Sequence, residues 1–436
     1  MPRRQPFACL ALGALVLAAC NDGSIPSQPE PDRLPTKVSR GTGAGMTAAP
    51  AFRQVSAGEI HTCGVTSGGV AYCWGSNDAG ALGNGTTHGS LTPVPVAGGL
   101  SFREVNASSF HTCGVTMNER LFCWGHNQTG QLGDGTQTDR RHPVRIGRGL
   151  VFRQVSSGDL HTCGVTTTGV AYCWGHNQAG ELGDGTTEDA LTPVRVRGKL
   201  VFRQVSAGNQ FTCGVTTSNA AYCWGMNPYG QLGNGNDTGP ESCFTGDGNS
   251  PCSTKPVRVV RGLAFDHVSA GLDYVCGVTM DHVGWCWGAN SAGQLGHHTS
   301  TGPELCFGIA PCSTKPIRVA GRLAFRSVSA DASHTCGVTT GSVAYCWGSN
   351  WSGELGVGSG TGPETCDQQG FIFPCSTKPV RVAGELAFRA VDAGDAHTCG
   401  VRANGVAFCW GDNSSGQLGD GTTQRRLRPR RVAGSE

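Results

Sequence analysis

The chain has 436 residues, with 33 Lys and Arg residues against 31 Asp and Glu residues. This balance excludes the global basic field that nucleic-acid-binding proteins use, so no nucleic-acid partner is expected. With 68 glycines, short β-branched segments and no long helical periodicity, the composition favours an all-β fold.

The N-terminus, residues 1–19, reads as a signal peptide. Its basic start, "MPRR", precedes the apolar run "FACLALGALVLAA", which is shorter than the roughly 20 residues that a membrane-spanning helix needs. The segment Leu17-Ala18-Ala19-Cys20 resembles a bacterial lipobox, which implies that Cys20 is lipidated. We expect a lipid anchor in the cell envelope, with the outer membrane favoured over the inner membrane because Asn21 follows the cysteine. The alternative is an ordinary signal peptide in which Cys20 has no role.

Residues 20–51 are rich in Pro, Ser, Gly and Ala and lack a core pattern, so we interpret them as a flexible linker of roughly 30 Å. Export would place the chain in a compartment that permits disulfides. Of the 22 cysteines, Cys9 lies in the signal and Cys20 in the lipobox. The even number that remains is consistent with a full set of disulfide pairs.

Seven related units fill residues 52–434. Each unit contains four short candidate strands of the types "FRQV", "HTCGVT", "VAYCWG" and "PVRV", separated by glycine-containing turns. A repeat near 50 residues with several strands is typical of a β-propeller. The units begin at Phe52, Phe102, Phe152, Phe202, Phe265, Phe325 and Phe388.

The pattern "VSAG…HTCGVT…GVAYCWGSN…GALGNGT" resembles the regulator-of-chromosome-condensation repeat, and the core "W-G-x-N-x-x-G-x-L-G" occurs in all seven units. The resemblance covers 52–434 and implies an all-β, seven-bladed β-propeller of four-stranded antiparallel blades. It also implies a protein-binding scaffold, although a fold indicates an activity less securely than it indicates an architecture.

Each unit carries two cysteines ten positions apart. If Ser67-Gly68-Gly69 forms the turn of a hairpin, Cys63 faces Cys73 directly, within the distance that a disulfide accepts. A zinc site would need closer cysteine pairs and four converging ligands, and a redox centre a CxxC-like pair. We predict structural disulfides that join Cys63 with Cys73, Cys113 with Cys123, Cys163 with Cys173, Cys213 with Cys223, Cys276 with Cys286, Cys336 with Cys346, and Cys399 with Cys409.

Aromatic residues and histidines also recur at fixed positions. We interpret the repeated tryptophan, such as Trp74, as inter-blade core, and expect an aromatic ring to cover Gly64, opposite Tyr72. The repeated histidine is interpreted as a buried structural residue because aromatic residues replace it in two units. The histidines are His61, His111, His161, His334 and His397, and the replacements are Phe211 and Tyr274.

Units 4 to 6 enlarge the loop that precedes the "PVRV" strand. Each insert holds a further predicted disulfide, which joins Cys243 with Cys252, Cys306 with Cys312, or Cys366 with Cys375. Aromatic residues on such loops suggest a recognition surface; the alternative is that they only pack the inserts down. The candidate partner-binding residues are Tyr229, Phe244, Phe307, Trp351, Phe371 and Phe373.

A membrane-anchored, exported propeller that binds a protein or another envelope macromolecule is the function favoured. The alternatives are guanine-nucleotide exchange or chromatin binding, as in the founding eukaryotic family member, and an enzyme acting on envelope polysaccharide or peptide. We expect a monomer without catalytic residues, metal or cofactor, since no repeat-breaking catalytic set is visible. We also expect the "PVRV" strand to pair with the next unit, so that 428–432 would pair beside Phe52–Val55 and close the ring.

Overall fold

A computed structural model describes residues 50–245, 248–368 and 370–435. The described chain forms seven antiparallel sheets, one per repeat unit, which are the blades of a seven-bladed β-propeller. In each blade the strand that begins with phenylalanine lies at one edge, and the next two strands follow in sheet order. The predicted seven-bladed propeller is thereby confirmed, but the expected four strands occur only in blades 1, 2, 3 and 7, because the inserts add a fifth strand to blades 4 to 6.

The strands of blades 1 to 3 are β1 (Phe52–Ala57), β2 (His61–Thr66), β3 (Ala71–Gly75), β4 (Ser90–Pro95), β5 (Phe102–Ala107), β6 (His111–Thr116), β7 (Leu121–Gly125), β8 (Arg140–Arg145), β9 (Phe152–Ser157), β10 (His161–Thr166), β11 (Ala171–Gly175) and β12 (Ala190–Arg195). Blades 4 to 6 have five strands each: β13 (Phe202–Ala207), β14 (Phe211–Thr216), β15 (Ala221–Met226), β16 (Glu241–Phe244), β17 (Asn249–Arg258), β18 (Phe265–Ala270), β19 (Tyr274–Thr279), β20 (Gly284–Ala289), β21 (Glu304–Cys306), β22 (Ala310–Arg318), β23 (Phe325–Ala330), β24 (His334–Thr339), β25 (Ala344–Ser349), β26 (Glu364–Gln368) and β27 (Phe371–Arg381). Blade 7 has β28 (Phe388–Ala393), β29 (His397–Arg402), β30 (Ala407–Gly411) and β31 (Arg426–Arg431), and two short 3-10 turns lie at Val260–Gly262 and Ala320–Arg322.

The "PVRV" strand belongs to its own unit, and the expectation that it pairs with the following unit is wrong. In blade 1, Tyr72 pairs with Pro95 and Cys73 with Val94, so β4 is the outer strand of the sheet that contains β3. The glycine-containing segment 96–101 is therefore not a hairpin turn. It links the outer strand of one blade to the first strand of the next.

The ring closes between blades 1 and 7 by packing instead of a shared strand. The C-terminal strand β31 pairs with β30, where Phe408 faces Arg431, and not with Phe52–Val55 as expected. Phe52 and Trp74 of blade 1 share a hydrophobic cluster with Val401 and Leu418 of blade 7. The corresponding phenylalanine, tryptophan and leucine also pack together at the other blade junctions. The junction between blades 7 and 1 is therefore built like the others.

All ten predicted cysteine pairs are disulfides in the structure, and each lies within one blade. Cys63 and Cys73 face each other in the β2–β3 ladder, with Cα atoms 4.0 Å apart. The other disulfides between second and third strands join Cys113 with Cys123, Cys163 with Cys173, Cys213 with Cys223, Cys276 with Cys286, Cys336 with Cys346, and Cys399 with Cys409. Those that close the inserts join Cys243 with Cys252, Cys306 with Cys312, and Cys366 with Cys375.

The repeated tryptophan is inter-blade core, as predicted. Trp124 of blade 2 is fully buried beside Leu82 of blade 1, and its Nε1–H donates to the carbonyl oxygen of Ala81 at 2.8 Å. Gly64 faces Tyr72 in the ladder, but a different ring covers it. A Cβ atom at Gly64 would lie 2.7 Å from Cδ1 of Phe52, so the β1 phenylalanine requires glycine there.

Candidate functional site

The three inserts are short β-hairpins built onto the outer strands of blades 4 to 6. In blade 4, β16 pairs with the first half of β17, and the second half of β17 then pairs with β15. The inserts of blades 5 and 6 repeat this arrangement. Because the outer strand runs without a break from the sheet into the hairpin, each insert is a rigid extension of its blade.

A glutamate fixes the base of each insert. It belongs to the recurring "TGPE" segment and binds the threonine of the "STKP" segment, a role that the sequence alone did not reveal. Glu364 Oε2 accepts hydrogen bonds from the Thr377 backbone N–H at 2.9 Å and from Thr377 Oγ1 at 2.6 Å. Glu304 and Glu241 make the corresponding backbone contacts. Partial burial favours the neutral acid, but the bonds from Thr377 and the charge of Lys378 outweigh it and hold the pKa of Glu364 below its usual range.

The inserts of blades 5 and 6 each contact the preceding blade. The Phe307 backbone N–H of blade 5 donates to Asp237 Oδ2 of blade 4 at 2.9 Å. In blade 6, Phe373 packs with Cys366, Cys375 and with Ala292 of blade 5. Asp237 lies in the loop before β16 and Ala292 in the turn after β20, so the inserts of blades 5 and 6 each rest on a loop of the preceding blade. Together the three inserts form one sector of neighbouring loops.

Large apolar side chains are exposed on this sector, and we call them the insert surface. Phe244 and Ile309 are 66% and 69% exposed. Trp351 and Phe371 lie with ring centroids 5.6 Å apart, and Arg425 of blade 7 donates to the Trp351 carbonyl oxygen at 3.2 Å. The insert surface consists of Phe244, Leu305, Phe307, Ile309, Trp351, Phe371 and Ile372.

Two of the predicted partner-binding residues do not belong to this surface. Phe373 is only 8% exposed, because it fills the core of its own insert beneath Phe371, with ring centroids 6.3 Å apart. Tyr229 is half-buried; burial, followed by the nearby Asp273 carboxylate, raises its pKa above the usual value. The exposed aliphatic residues Leu305, Ile309 and Ile372 were missed, because aromatic residues alone were sought.

The repeated histidines form hydrogen bonds between blades, consistent with a structural role. His161 Nε2 lies 2.8 Å from Thr212 Oγ1 of the next blade, and Thr212 Oγ1 donates to the Glu181 carbonyl oxygen at 2.9 Å. The threonine oxygen must therefore accept from the Nε2–H of a neutral imidazole. His61, His111, His334 and His397 make the same contact.

In the two units that lack the histidine, the residue facing it or the replacement itself preserves the contact between blades. Phe211 of blade 4 replaces a histidine, and its partner position in blade 5 holds Val275, where the other units have threonine. Both side chains are fully buried, so the hydrogen-bonded pair has become an apolar pair. Tyr274 keeps a polar contact, since its hydroxyl donates to the His334 carbonyl oxygen at 2.6 Å.

This exchange predicts how acid affects stability. Burial lowers the pKa of His161 to about 3, so its contribution to stability is complete above pH 6.5 and is lost as the pH falls towards 3. The double variant His161→Phe, Thr212→Val copies the Phe211–Val275 pair. Between pH 6.5 and pH 5, we expect wild type to lose about 1.6 kcal/mol of unfolding free energy relative to this variant, measured by urea unfolding.

The comparison with the variant is needed because buried carboxyl groups change the pH dependence of stability in the opposite direction to His161. Desolvation raises the pKa of Glu59 and Asp273 to about 7, which favours the folded state as the pH falls. These groups are common to both proteins, so their effect cancels in the difference. An unfolding free-energy difference that does not change with pH would contradict the assignment of a neutral His161.

The described residues contain no group of three or more His, Cys, Asp or Glu side chains placed to hold a metal ion. In that same part of the chain, no helix has the length and apolar character to cross a bilayer. The lipobox and Cys20 lie outside the described residues.

The fold and its disulfide-closed units define a repeat-built β-propeller that presents one enlarged loop sector. A family model for the RCC1-like domain matches residues 11–306, and models for the regulator of chromosome condensation (RCC1) repeat match 388–417 and 404–436. The chain belongs to the RCC1-like domain family.

Known proteins and solved structures agree with this membership. The chain is 30% identical to the human "Probable E3 ubiquitin-protein ligase HERC6" over 38% of this chain and 14% of that protein. It is 28% identical to the Arabidopsis thaliana "Ultraviolet-B receptor UVR8", over 43% and 39%. Yeast RCC1 (Prp20), solved with Kap60, superposes with a TM-score of 0.70 at 20% identity, over 92% of this chain and 91% of that chain. The matched segments are thus minor parts of the two sequence relatives, and the structural likeness shows the fold.

Proposed function

We propose that this protein is a membrane-anchored, exported scaffold that binds another protein through the insert surface. The observation that carries the proposal is the exposure of six large apolar side chains on three neighbouring, disulfide-closed hairpins, with Trp351 in the adjoining turn after β25. Soluble proteins expose scattered apolar residues, but a concentration of exposed apolar residues on neighbouring inserts, with Trp351 and Phe371 in contact, is typical of an interaction site.

The rigidity of the inserts supports binding in preference to a packing role. The disulfide between Cys366 and Cys375 and the Glu364 contacts hold the blade 6 hairpin in one conformation. A partner would therefore not have to order the loop on binding, which lowers the entropic cost of association. Trp351 and Phe371 supply the large aromatic area typical of residues that dominate binding energy.

The anchor part of the proposal rests on the sequence. The lipobox at 17–20 would attach Cys20 to a membrane, and the linker of 20–51 would leave the propeller room to meet a partner. Ten intramolecular disulfides support an oxidising compartment. We propose the cell envelope as the location and a protein displayed there as the partner.

The test compares two double variants of the full-length protein in affinity capture from envelope extracts. Trp351→Ala with Phe371→Ala removes the aromatic pair, and we expect at least a tenfold loss of the specifically captured protein, as for two side chains worth about 2 kcal/mol each. Val151→Ala with Val201→Ala is the matched control, because these exposed residues precede the first strands, at the opposite ends of the sheets. Equal loss in both variants, or full capture by the insert variant, would overturn the proposal.

A further inference from the structure

Six of the seven units bury a glutamine or glutamate in the turn that follows the third strand. Its side-chain oxygen accepts a hydrogen bond from the backbone N–H two residues earlier. In blade 2, for example, the Thr129 N–H donates to Gln131 Oε1 at 3.0 Å. The six side chains are Gln131, Glu181, Gln231, Gln294, Glu354 and Gln417.

Unit 1 has Ala81 at this position, and the backbone around it is unchanged. The Ala81 carbonyl oxygen still accepts from Thr112 Oγ1 at 3.0 Å and from Trp124 Nε1 at 2.8 Å. The Leu82 N–H still donates to Asn77 Oδ1. The backbone contacts of the turn are thus kept although Ala81 lacks the long side chain of the other units, and Ala81 lines a cleft.

A cleft of about 350 Å³ lies at this position, between blades 1 and 2. Ala79 and Ala81 line it from the turn, and Ile60 and Phe110 provide apolar walls. Within the described residues, the Ala79 N–H is left without the side-chain acceptor that its counterparts have. The cleft therefore combines apolar walls with one backbone N–H donor, that of Ala79.

Two other units show which group would satisfy this donor. In blade 6, Ser349 Oγ and the Ser352 N–H both donate to the Glu354 carboxylate at 2.7 Å, and Ser76 occupies in blade 1 the position of Ser349. In blade 7, Gln417 Nε2 donates to Asp412 Oδ2 at 2.8 Å. In the blade 1 cleft the Ala79 N–H occupies the position of the Ser352 N–H, so an acceptor oxygen would satisfy it.

Two acids give the cleft acceptors as well. Asp78 and Asp139 line it and are exposed, and Asp78 Oδ2 accepts from Ser76 Oγ at 3.4 Å. His126 also lines the cleft, with Nδ1 3.4 Å from Asp139 Oδ1, and that oxygen accepts from the Asn127 N–H at 2.8 Å. Asp78 is therefore the acid that would repel a carboxylate ligand most directly, whereas a primary amide could donate its NH₂ group to it. The charge of the cleft therefore favours a neutral amide over an acid.

We propose that the cleft between blades 1 and 2 binds a primary carboxamide on an apolar stem. The amide oxygen accepts from the Ala79 N–H, the NH₂ group donates to Asp78, which also accepts from Ser76 Oγ, and the stem packs against Ile60 and Phe110. A free small amide and a glutamine side chain of a partner protein share this chemistry. This site lies on blades that carry no insert, so it is independent of the insert surface.

The test uses saturation-transfer NMR with the full-length protein and four probes. Propionamide should give a saturable signal in the millimolar range, and propionate should bind at least about tenfold more weakly because of the Asp78 carboxylate. The peptides Ac-Ala-Gln-Ala-NHMe and Ac-Ala-Glu-Ala-NHMe distinguish the sources. If the glutamine peptide binds more tightly than propionamide, the natural ligand is a partner's glutamine side chain. If propionamide binds and the glutamine peptide does not, the natural ligand is a free small amide.

Two variants provide the controls. Ala81→Gln restores the repeat, and we expect it to abolish the propionamide signal while raising the melting temperature by a few degrees. Gln131→Ala opens the equivalent space between blades 2 and 3, where His126 and Gln128 stand in place of Ser76 and Asp78, and it should bind propionamide more weakly there than the blade 1 cleft does. Should propionamide fail to bind wild type, or bind Ala81→Gln equally well, the proposal is overturned. A preference for propionate would also overturn it, since the ligand would then be an acid.

Discussion

After complete reduction, the chain is expected not to refold until its disulfides are re-formed. Each of the seven disulfides between second and third strands closes a loop with a sequence separation of 10 residues, for which the loop-entropy model gives about 2–3 kcal/mol. Together they match or exceed the about 5–15 kcal/mol by which a folded domain is stable. Circular dichroism and tryptophan fluorescence after dilution from denaturant, with and without dithiothreitol, would measure the effect.

The native protein should resist the same reductant. The sulfur-bearing residues Cys63 and Cys73 are fully buried, so thiolate attack requires prior opening of the blade. Reduction should therefore be slow in buffer and fast in denaturant. A reduced chain that refolds to the native spectrum would show that inter-blade packing alone is sufficient for stability.

The Trp174→Ala variant is expected to lose about 3–5 kcal/mol of unfolding free energy. Trp174 is fully buried in the cluster that joins blades 2 and 3, with its ring 6.2 Å from that of Phe152. Its Nε1–H donates to the Gln131 carbonyl oxygen at 3.0 Å. That oxygen also accepts from Thr162 Oγ1, so it keeps a hydrogen-bond partner in the variant. The lost unfolding free energy therefore measures the lost packing of the indole ring.

Chemical denaturation measures this loss, and hydrogen exchange locates it. Backbone amides at the junction of blades 2 and 3 should lose protection first, because local stability follows local packing. Trp174→Phe is the matched control, since it keeps an aromatic ring in the cavity and should cost less than the alanine variant. A loss below about 1 kcal/mol in Trp174→Ala would mean that the junction can collapse around the gap.

The repeat period and the family resemblance were sufficient to predict the propeller, the hairpin register predicted seven disulfides, and the two remaining cysteines within each insert predicted the other three. Local features decide these properties: Cys63 and Cys73 flank one tight turn, so their pairing follows from the register of a single hairpin. The same reasoning placed aromatic residues on the inserts, and four of the six named positions, Phe244, Phe307, Trp351 and Phe371, are exposed there.

Contacts between distant residues could not be predicted in this way. The segment after β4 has the length and glycines of a hairpin turn, yet it crosses from one blade to the next, and only the pairing of Tyr72 with Pro95 reveals this. Phe373 alternates with exposed neighbours but packs on Ala292 of another blade. Alignment of the seven units to each other would have revealed Ala81 and the Phe211–Val275 pair as departures from the repeat.

Each sheet of this protein is formed by one uninterrupted stretch of chain, and adjacent sheets share no strand but meet through contacts such as that of His397 with Thr62. The boundaries of the duplicated sequence therefore coincide with the boundaries of the structural module. A recombination event within a linking segment such as 96–101 would gain or lose a complete sheet whose two faces already match their new neighbours. Blade number in such a protein can change by whole units during evolution without any strand losing its partner.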